Sequence, residues 1–207
     1  MIDRVEEMTI SVRGVSASNA GEVALRMIVK AMTHTGRPKE GDSLYYEYGG
    51  YGCSYYVQSG TLVISYSILY YTTAEQEQEL NTVVTGLIVS LDLYSGSSFE
   101  RVKRIYDYLT QNVQYGGNDL TQYTAYAALV KHKAVCQGYS VAFYRLALEA
   151  GIDARVVTSD SMNHAWNIAD MAGSYYYLDA TWDAGKQTYY YFLKGSADWT
   201  KSGSGRV

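Results

Sequence analysis

Three residues in the C-terminal half could together cleave or transfer an acyl group: Cys136, His164 and Asp179. A thiol nucleophile needs a base beside it and a third group to orient that base, and these side chains supply the parts. Cys136 heads a run, Gln137 to Ala150, whose only charged members are Arg145 and Glu149. Such a run predicts a buried helix. Gly151 is its stop, because glycine takes the left-handed conformation after a helix without a Cβ penalty. A cysteine at that start sits among unpaired backbone N–H groups at the positive end of the helix dipole. The position favours a thiolate and could hold an oxyanion.

The other two residues fall on strands. His164 to Ile168 alternates, and so does Tyr175 to Asp179. Between them Asp170, Met171, Ala172 and Gly173 read as a hairpin loop. If those four form it, Ala169 faces Ser174 and His164 faces Asp179 directly, on one side of the sheet with Cβ atoms about 5 Å apart. A two-residue loop keeps that pairing; loops of three or five residues break it. On this register His164 is the one histidine with a carboxylate facing it. His132, four residues before Cys136, is the rival base, but it lies between Lys131 and Lys133 in a turn that reads as solvated. His34 reads as a helix-end contact, Asp170 as an exposed loop residue, and Asp183 as a ligand for backbone N–H groups of the turn at 182–185. Cys53 has no such context and reads as a structural thiol.

At these residues the chain resembles the transglutaminase-like superfamily of papain-type cysteine enzymes. The matching pieces are Ala134 to Ser140 (AVCQGYS), His164 to Asn167 (HAWN) and Leu178 to Asp183 (LDATWD). Tyr106 to Leu109, Val113 to Tyr115 and Ala125 to Leu129 fit the family's stretches before the cysteine, so the resemblance spans roughly Phe99 to Leu193. Two departures lie outside the triad: Tyr106 stands where many relatives have histidine, and Ala184 where a second acid often follows Asp183. The resemblance implies a thioester mechanism on amide or peptide bonds, with Cys136 as nucleophile, His164 as base and Asp179 as orienter. It also implies that Trp166 and Trp182 wall the substrate cleft. Tyr126, or Gln137 through its backbone N–H, would serve the oxyanion. A bacterial exported or wall-associated setting and a protein or cell-wall peptide substrate go with it. No cofactor is implied. Hydrolysis is the expected outcome over cross-linking, since water is always at hand and no dedicated amine site is visible. The alternative is a catalytically inert module that binds peptide or cell-wall glycan on tyrosine-rich surfaces.

Composition narrows the rest. The chain has 207 residues, 47% of them apolar, enough for one core with an accessory layer. There are 23 tyrosines against 3 phenylalanines and 3 tryptophans, which predicts half-wet aromatic surfaces. A net charge of −4 without a Lys/Arg cluster argues against nucleic acid. No apolar run reaches membrane-spanning length, and the first residues do not read as a signal peptide. Two cysteines and three histidines lack zinc spacing, and no phosphate-cradling glycine motif appears. The sequence sets no oligomeric state.

Elements that must position the site follow from periodicity. Strands are predicted at Met8–Val15, Leu44–Tyr48, Tyr51–Val57 and Thr61–Tyr71. On the last of these Leu62, Ile64, Tyr66 and Ile68 share a face. Capping boxes at Asn19/Glu22, Thr72/Glu75 and Ser97/Glu100 open helices, and Thr121 introduces another through Val130. After the cysteine helix come strands near Ala154–Thr158, His164–Ala169, Ser174–Ala180 and Thr188–Leu193. Trp199 to Val207 reads as a loose end. Helices first and then a helix with several strands is an α+β order, here the papain-like layout of a nucleophile helix on an antiparallel sheet. Residues 1–95 are expected to pack as an accessory layer on a catalytic core formed by 96–207.

Overall fold

The computed structural model describes residues 1–186 and 188–201. Its elements are of the α+β class, in three sheets. The first sheet is antiparallel, in the order β1-β3-β2, from Glu7–Arg13 (β1), Tyr48–Gln58 (β2) and Thr61–Tyr70 (β3). Leu62, Ile64, Tyr66 and Ile68 of β3 are buried, as their alternation predicts. They pack against Ala20, Ala24 and Ile28 of α1 (Ala20–Ala31) in one apolar cluster.

A larger cluster surrounds α6 (Cys136–Glu149). Around it stand α3 (Ala74–Ser90), α4 (Ser98–Asn112) and α5 (Ala125–Leu129). The third sheet is antiparallel, β6-β7-β8, from Ala154–Ser159, His164–Asp170 and Tyr175–Leu178. Between the two larger sheets in sequence lies a two-residue parallel pair, β4 (Gln114–Tyr115) on β5 (Lys133–Ala134). Among the described residues no helix is long and apolar enough to cross a membrane.

Several local expectations are corrected. Asp42–Glu47 (α2) is helical where a strand starting at Leu44 was expected. Asp42 accepts hydrogen bonds from Nε and Nη2 of Arg155, each at 2.9 Å, and from the N–H of Val156, and Leu44 is buried. Partners more than a hundred residues away override the tyrosine-rich β propensity. The strand after it begins early, with a bulge between Tyr48 and Gly50. At α1 no capping box forms, because Asn19 already has helical dihedrals at the end of a short 3₁₀ turn. At α3 the box is Thr73 with Gln76, since the Thr72 hydroxyl accepts a bond from Arg4 Nε. Thr124, not Thr121, caps the helix before the cysteine. The Ser97/Glu100 box forms as expected.

Near the C-terminus, residues 188–193 form no strand. Asp183 accepts the Thr188 hydroxyl at 2.7 Å and the Tyr191 N–H at 2.9 Å, and this gathers the segment into turns. One bridge, Tyr177 with Lys194, and a hydrogen bond from the Asp179 N–H to Tyr191 O at 2.9 Å tie the backbone there to β8 and its end. Trp199, expected in a loose end, is buried in α8 (Ser196–Lys201) and stacks on Tyr177 at 5.0 Å. Residues 202–207 of that expectation lie outside the described residues.

Candidate active site

Helix α6 begins at Cys136, as its apolar run predicts, and Gly151 beyond its end has φ +72°. Its first turn is held tightly against the preceding chain. A Cβ added at Gly138 would lie 2.6 Å from Gln122 O, 2.8 Å from Ala134 Cβ and 3.0 Å from Thr124 O. None of these belongs to a side chain that can swing away, so only glycine lets the first turn of α6 approach this closely. Gly138→Ala is therefore expected to shift Cys136. It should cost about 1–3 kcal/mol of stability, as overpacking does, and slow alkylation of Cys136 with it. A denaturant titration and an alkylation time course check the two together.

The histidine strand is tied to this helix by Asn167. Its buried amide donates to Ser140 O at 2.9 Å and to Arg155 O at 3.2 Å. Ser140 in turn bonds Cys136 O. The same β7 segment thus carries both His164 and the residue that sets its height along α6.

His164 Nε2 lies 2.7 Å from Asp179 Oδ2. The route to that contact differs from the expected one. Asp170 pairs with Tyr175 and Asn167 with Leu178, so the hairpin loop is Met171 to Ser174. Every pairing is offset by two residues from the expected register. Asp179 ends the strand as the N-cap of α7 (Ala180–Asp183) and reaches His164 diagonally. An offset of two preserves the face, whereas an offset of one would have reversed it. Asp179 Oδ1 accepts the Trp182 N–H at 3.1 Å, so one buried carboxylate both caps the helix and holds the imidazole.

Burial of the His164 ring works against its protonated form. Hydrogen bonds with Asp179 and the Cys136 thiol, and the charges of both, outweigh it and raise the pKa to about 9. The ring also stacks against Trp182 at 5.0 Å and Trp166 at 5.9 Å, near-parallel in each case. Both tryptophans therefore face the imidazole, but of the two Trp182 alone is in the lining of the open cleft beside it.

Other candidates fall elsewhere. Tyr126 donates its hydroxyl to Glu79 on α3, which commits it away from the thiol. The Gln137 amide donates to Tyr46 O and Tyr123 O, so only its backbone N–H in the first turn of α6 could face an oxyanion. Asp183 takes no N–H from its own turn. Besides Thr188 and Tyr191 it accepts the Tyr106 hydroxyl at 2.6 Å, and Tyr106 also donates to Asp179 O. The tyrosine that departs from the family pattern thus braces the segment carrying the carboxylate. His132 is exposed. His34 is not a helix-end contact: it bridges Tyr144 and Asp153 at 3.0 Å each, so His164 is not alone in having a carboxylate partner. Cys53 is exposed on β2.

Beside His164 opens a cleft of roughly 490 Å³ lined by Gln114, Tyr115, Thr181, Trp182 and Lys186 among others. Of these the sequence pointed only to Trp182. Tyr115 comes within electrostatic reach of Cys136 through the β4–β5 pair, a two-residue parallel contact that leaves no periodic signal. Its hydroxyl pKa is raised by burial first, then by Cys136, Tyr123 and Asp179.

A helix-borne thiol, a strand-borne imidazole and a buried carboxylate come together within one α+β core. Residues 90–182 match the model of the transglutaminase-like superfamily. Two solved structures are similar to it. One is a TGase, at TM-score 0.46 and 17% identity, covering 88% of this chain and 52% of its own. The other is a protein from Cytophaga hutchinsonii proposed to be a cysteine protease, at TM-score 0.40 and 14% identity, covering 65% of each chain. The chain thus spans about half the length of the first. No curated protein matches it.

Proposed function

We propose that the protein is a cysteine enzyme that opens amide or peptide bonds through a thioester, more by hydrolysis than by cross-linking. The observation that carries this reading is the His164 imidazole, which bonds Asp179 at 2.7 Å and interacts with the Cys136 thiol. The Cys136 thiolate adds to the carbonyl, and first-turn N–H groups of α6 receive the oxyanion. His164 delivers a proton to the leaving amine, and the thioester remains. Water, deprotonated by His164, then resolves it, while Asp179 fixes the ring throughout. Residues 96–207 would carry this chemistry, with 1–95 as an accessory layer and a protein or peptide as substrate.

Iodoacetamide at neutral pH tests the nucleophile, with Cys53 as an internal reference on the same chain. Cys136 is expected to alkylate faster than Cys53, and His164→Ala to remove the difference. Equal rates at both cysteines in the wild type would end the proposal. Release of free acid from a peptide amide, without uptake of an added primary amine, distinguishes hydrolysis from transfer.

A further inference from the structure

The cleft beside His164 has a charge pattern that the acyl-transfer chemistry does not require. Among the described residues its lining contains two cationic groups, His164 and Lys186, one phenol, Tyr115, and no carboxylate. This is unexpected in a chain whose net charge is −4. The nearest acids are turned inward. Asp179 is 1% exposed and engaged by His164 and the Trp182 N–H. Asp183 is 0% exposed and engaged by Tyr106, Thr188 and Tyr191. Lys186 spends one donor on Trp182 O at 2.9 Å, which holds its ammonium at the cleft and leaves two donors. A second cation lies on β5. Lys133 pairs across the β4–β5 ladder with Gln114, a lining residue, and its side chain runs past Gly116. Among the described residues neither lysine forms a salt bridge.

We propose that this cleft binds a carboxylate on the substrate, through Lys186 with Lys133 of β5, so that the amide attacked is one flanked by an acidic group. The proposal rests on the acyl-transfer reading and names the substrate class for it. The aromatic walls, Tyr115 and Trp182, take the flat amide beside the carboxylate, and the cations supply the orientation. The same field disfavours a protonated amine as acyl acceptor, which agrees with water as the resolving nucleophile.

A matched pair of amide-capped chloroacetyl residues, one glutamate and one glutamine, reads the cleft directly. The Cys136 sulfur forms a bond to the chloroacetyl methylene, its proton passes to His164, and chloride departs. Peptide mapping gives the rates at Cys136 and Cys53 in one sample. At low ionic strength the glutamate probe is expected to outpace the glutamine probe at Cys136 by about fivefold, the upper end for a solvent-exposed charge pair. No such preference is expected at Cys53. Lys186→Met should abolish the preference, Lys186→Arg should keep it, and Lys133→Met should reduce it. Salt at 0.5 M should flatten it, as the Debye length there is only about 4 Å. If Cys136 prefers neither probe, or keeps its preference in Lys186→Met, the carboxylate site is overturned while the nucleophile stands. If Cys136 reacts no faster than Cys53 with either probe, the nucleophile fails and the carboxylate site with it.

Discussion

Asp179→Asn is expected to lower kcat/KM on amide substrates by about 10³- to 10⁴-fold while leaving the fold intact, as loss of the orienting carboxylate does in a triad. The substitution separates the two duties of this side chain. Asparagine caps a helix as well as aspartate does, so the bond to the Trp182 N–H survives. What is lost is a negative acceptor for His164 at 2.7 Å. The pH dependence gives a second readout with a defined sign. In the wild type the ring titrates at about 9, because Asp179 and Cys136 together outweigh the burial that pulls it down. The form that protonates the leaving amine carries the imidazolium, so activity should fall as pH rises through about 9. With asparagine at 179 burial acts with less opposition, and that alkaline limb moves down. The same shift links to stability. A histidine pKa raised above its unfolded value near 6.5 contributes stability fully present below that value and lost as pH rises through the folded one. An NMR titration of His164 measures the midpoint without any substrate. An unchanged midpoint in Asp179→Asn, or an unchanged kcat/KM, would show that the carboxylate does not govern the ring.

How much of this site could be foreseen depends on how local its causes are. Helix α6 was legible because fourteen residues from Cys136 to Glu149 carry an almost unbroken apolar pattern and end at a glycine. The strand pair was legible in type and face, yet misplaced by two residues. Asp170 looked like loop but continues the ladder to Tyr175, and its side chain accepts the Gly173 N–H to close the turn. Because side chains alternate with period two, that error left His164 and Asp179 on the same side. The cleft was not legible. Tyr115 and Lys186 reach it through a two-residue ladder and a turn beyond α7, neither of which leaves a pattern in composition. Helix α2 was hidden for the same reason, since its cause is Arg155, far along the chain. Arg4, Glu47 and Glu77, charged residues of the first 95, are buried without any periodicity that marks them as such.

Those three, with Arg145 of α6, are the site of the largest expected loss of stability. Arg145→Ala should destabilise the protein by about 3–5 kcal/mol, the cost of leaving a buried charge without its partner. Arg4 donates to Glu47 at 2.7 Å and to Glu77 at 3.0 Å, and Arg145 donates to Glu77 at 3.2 Å. All four are at most 7% exposed. Two buried cations face two buried anions, so the buried group is balanced as it stands, with the partly exposed Glu149 3.6 Å from Arg145 at its edge. Burial pushes the Glu47 carboxyl above its ordinary range, with Arg4 opposing that and Glu77 adding to it. Glu47 also accepts the Ala125 N–H at 2.7 Å, which joins the network to the helix just before the cysteine. Removing Arg145 alone leaves Glu77 sharing one guanidinium with Glu47. Removing Arg145 and Glu77 together, each to methionine, leaves Arg4 paired with Glu47 and neutrality restored. A buried pair replaced by apolar side chains of similar volume is often tolerated. The double variant Glu77→Met/Arg145→Met should therefore recover most of what Arg145→Ala loses. Urea unfolding of the wild type, the single and the double variants tests this. A double variant as unstable as the single, or a single variant within 1 kcal/mol of wild type, would mean that charge balance is not what holds Arg4 and α3 to α6. In a chain of this size the expected loss amounts to roughly 6–20 °C in Tm, and alkylation of Cys136 should become less selective over Cys53 as its helix loosens.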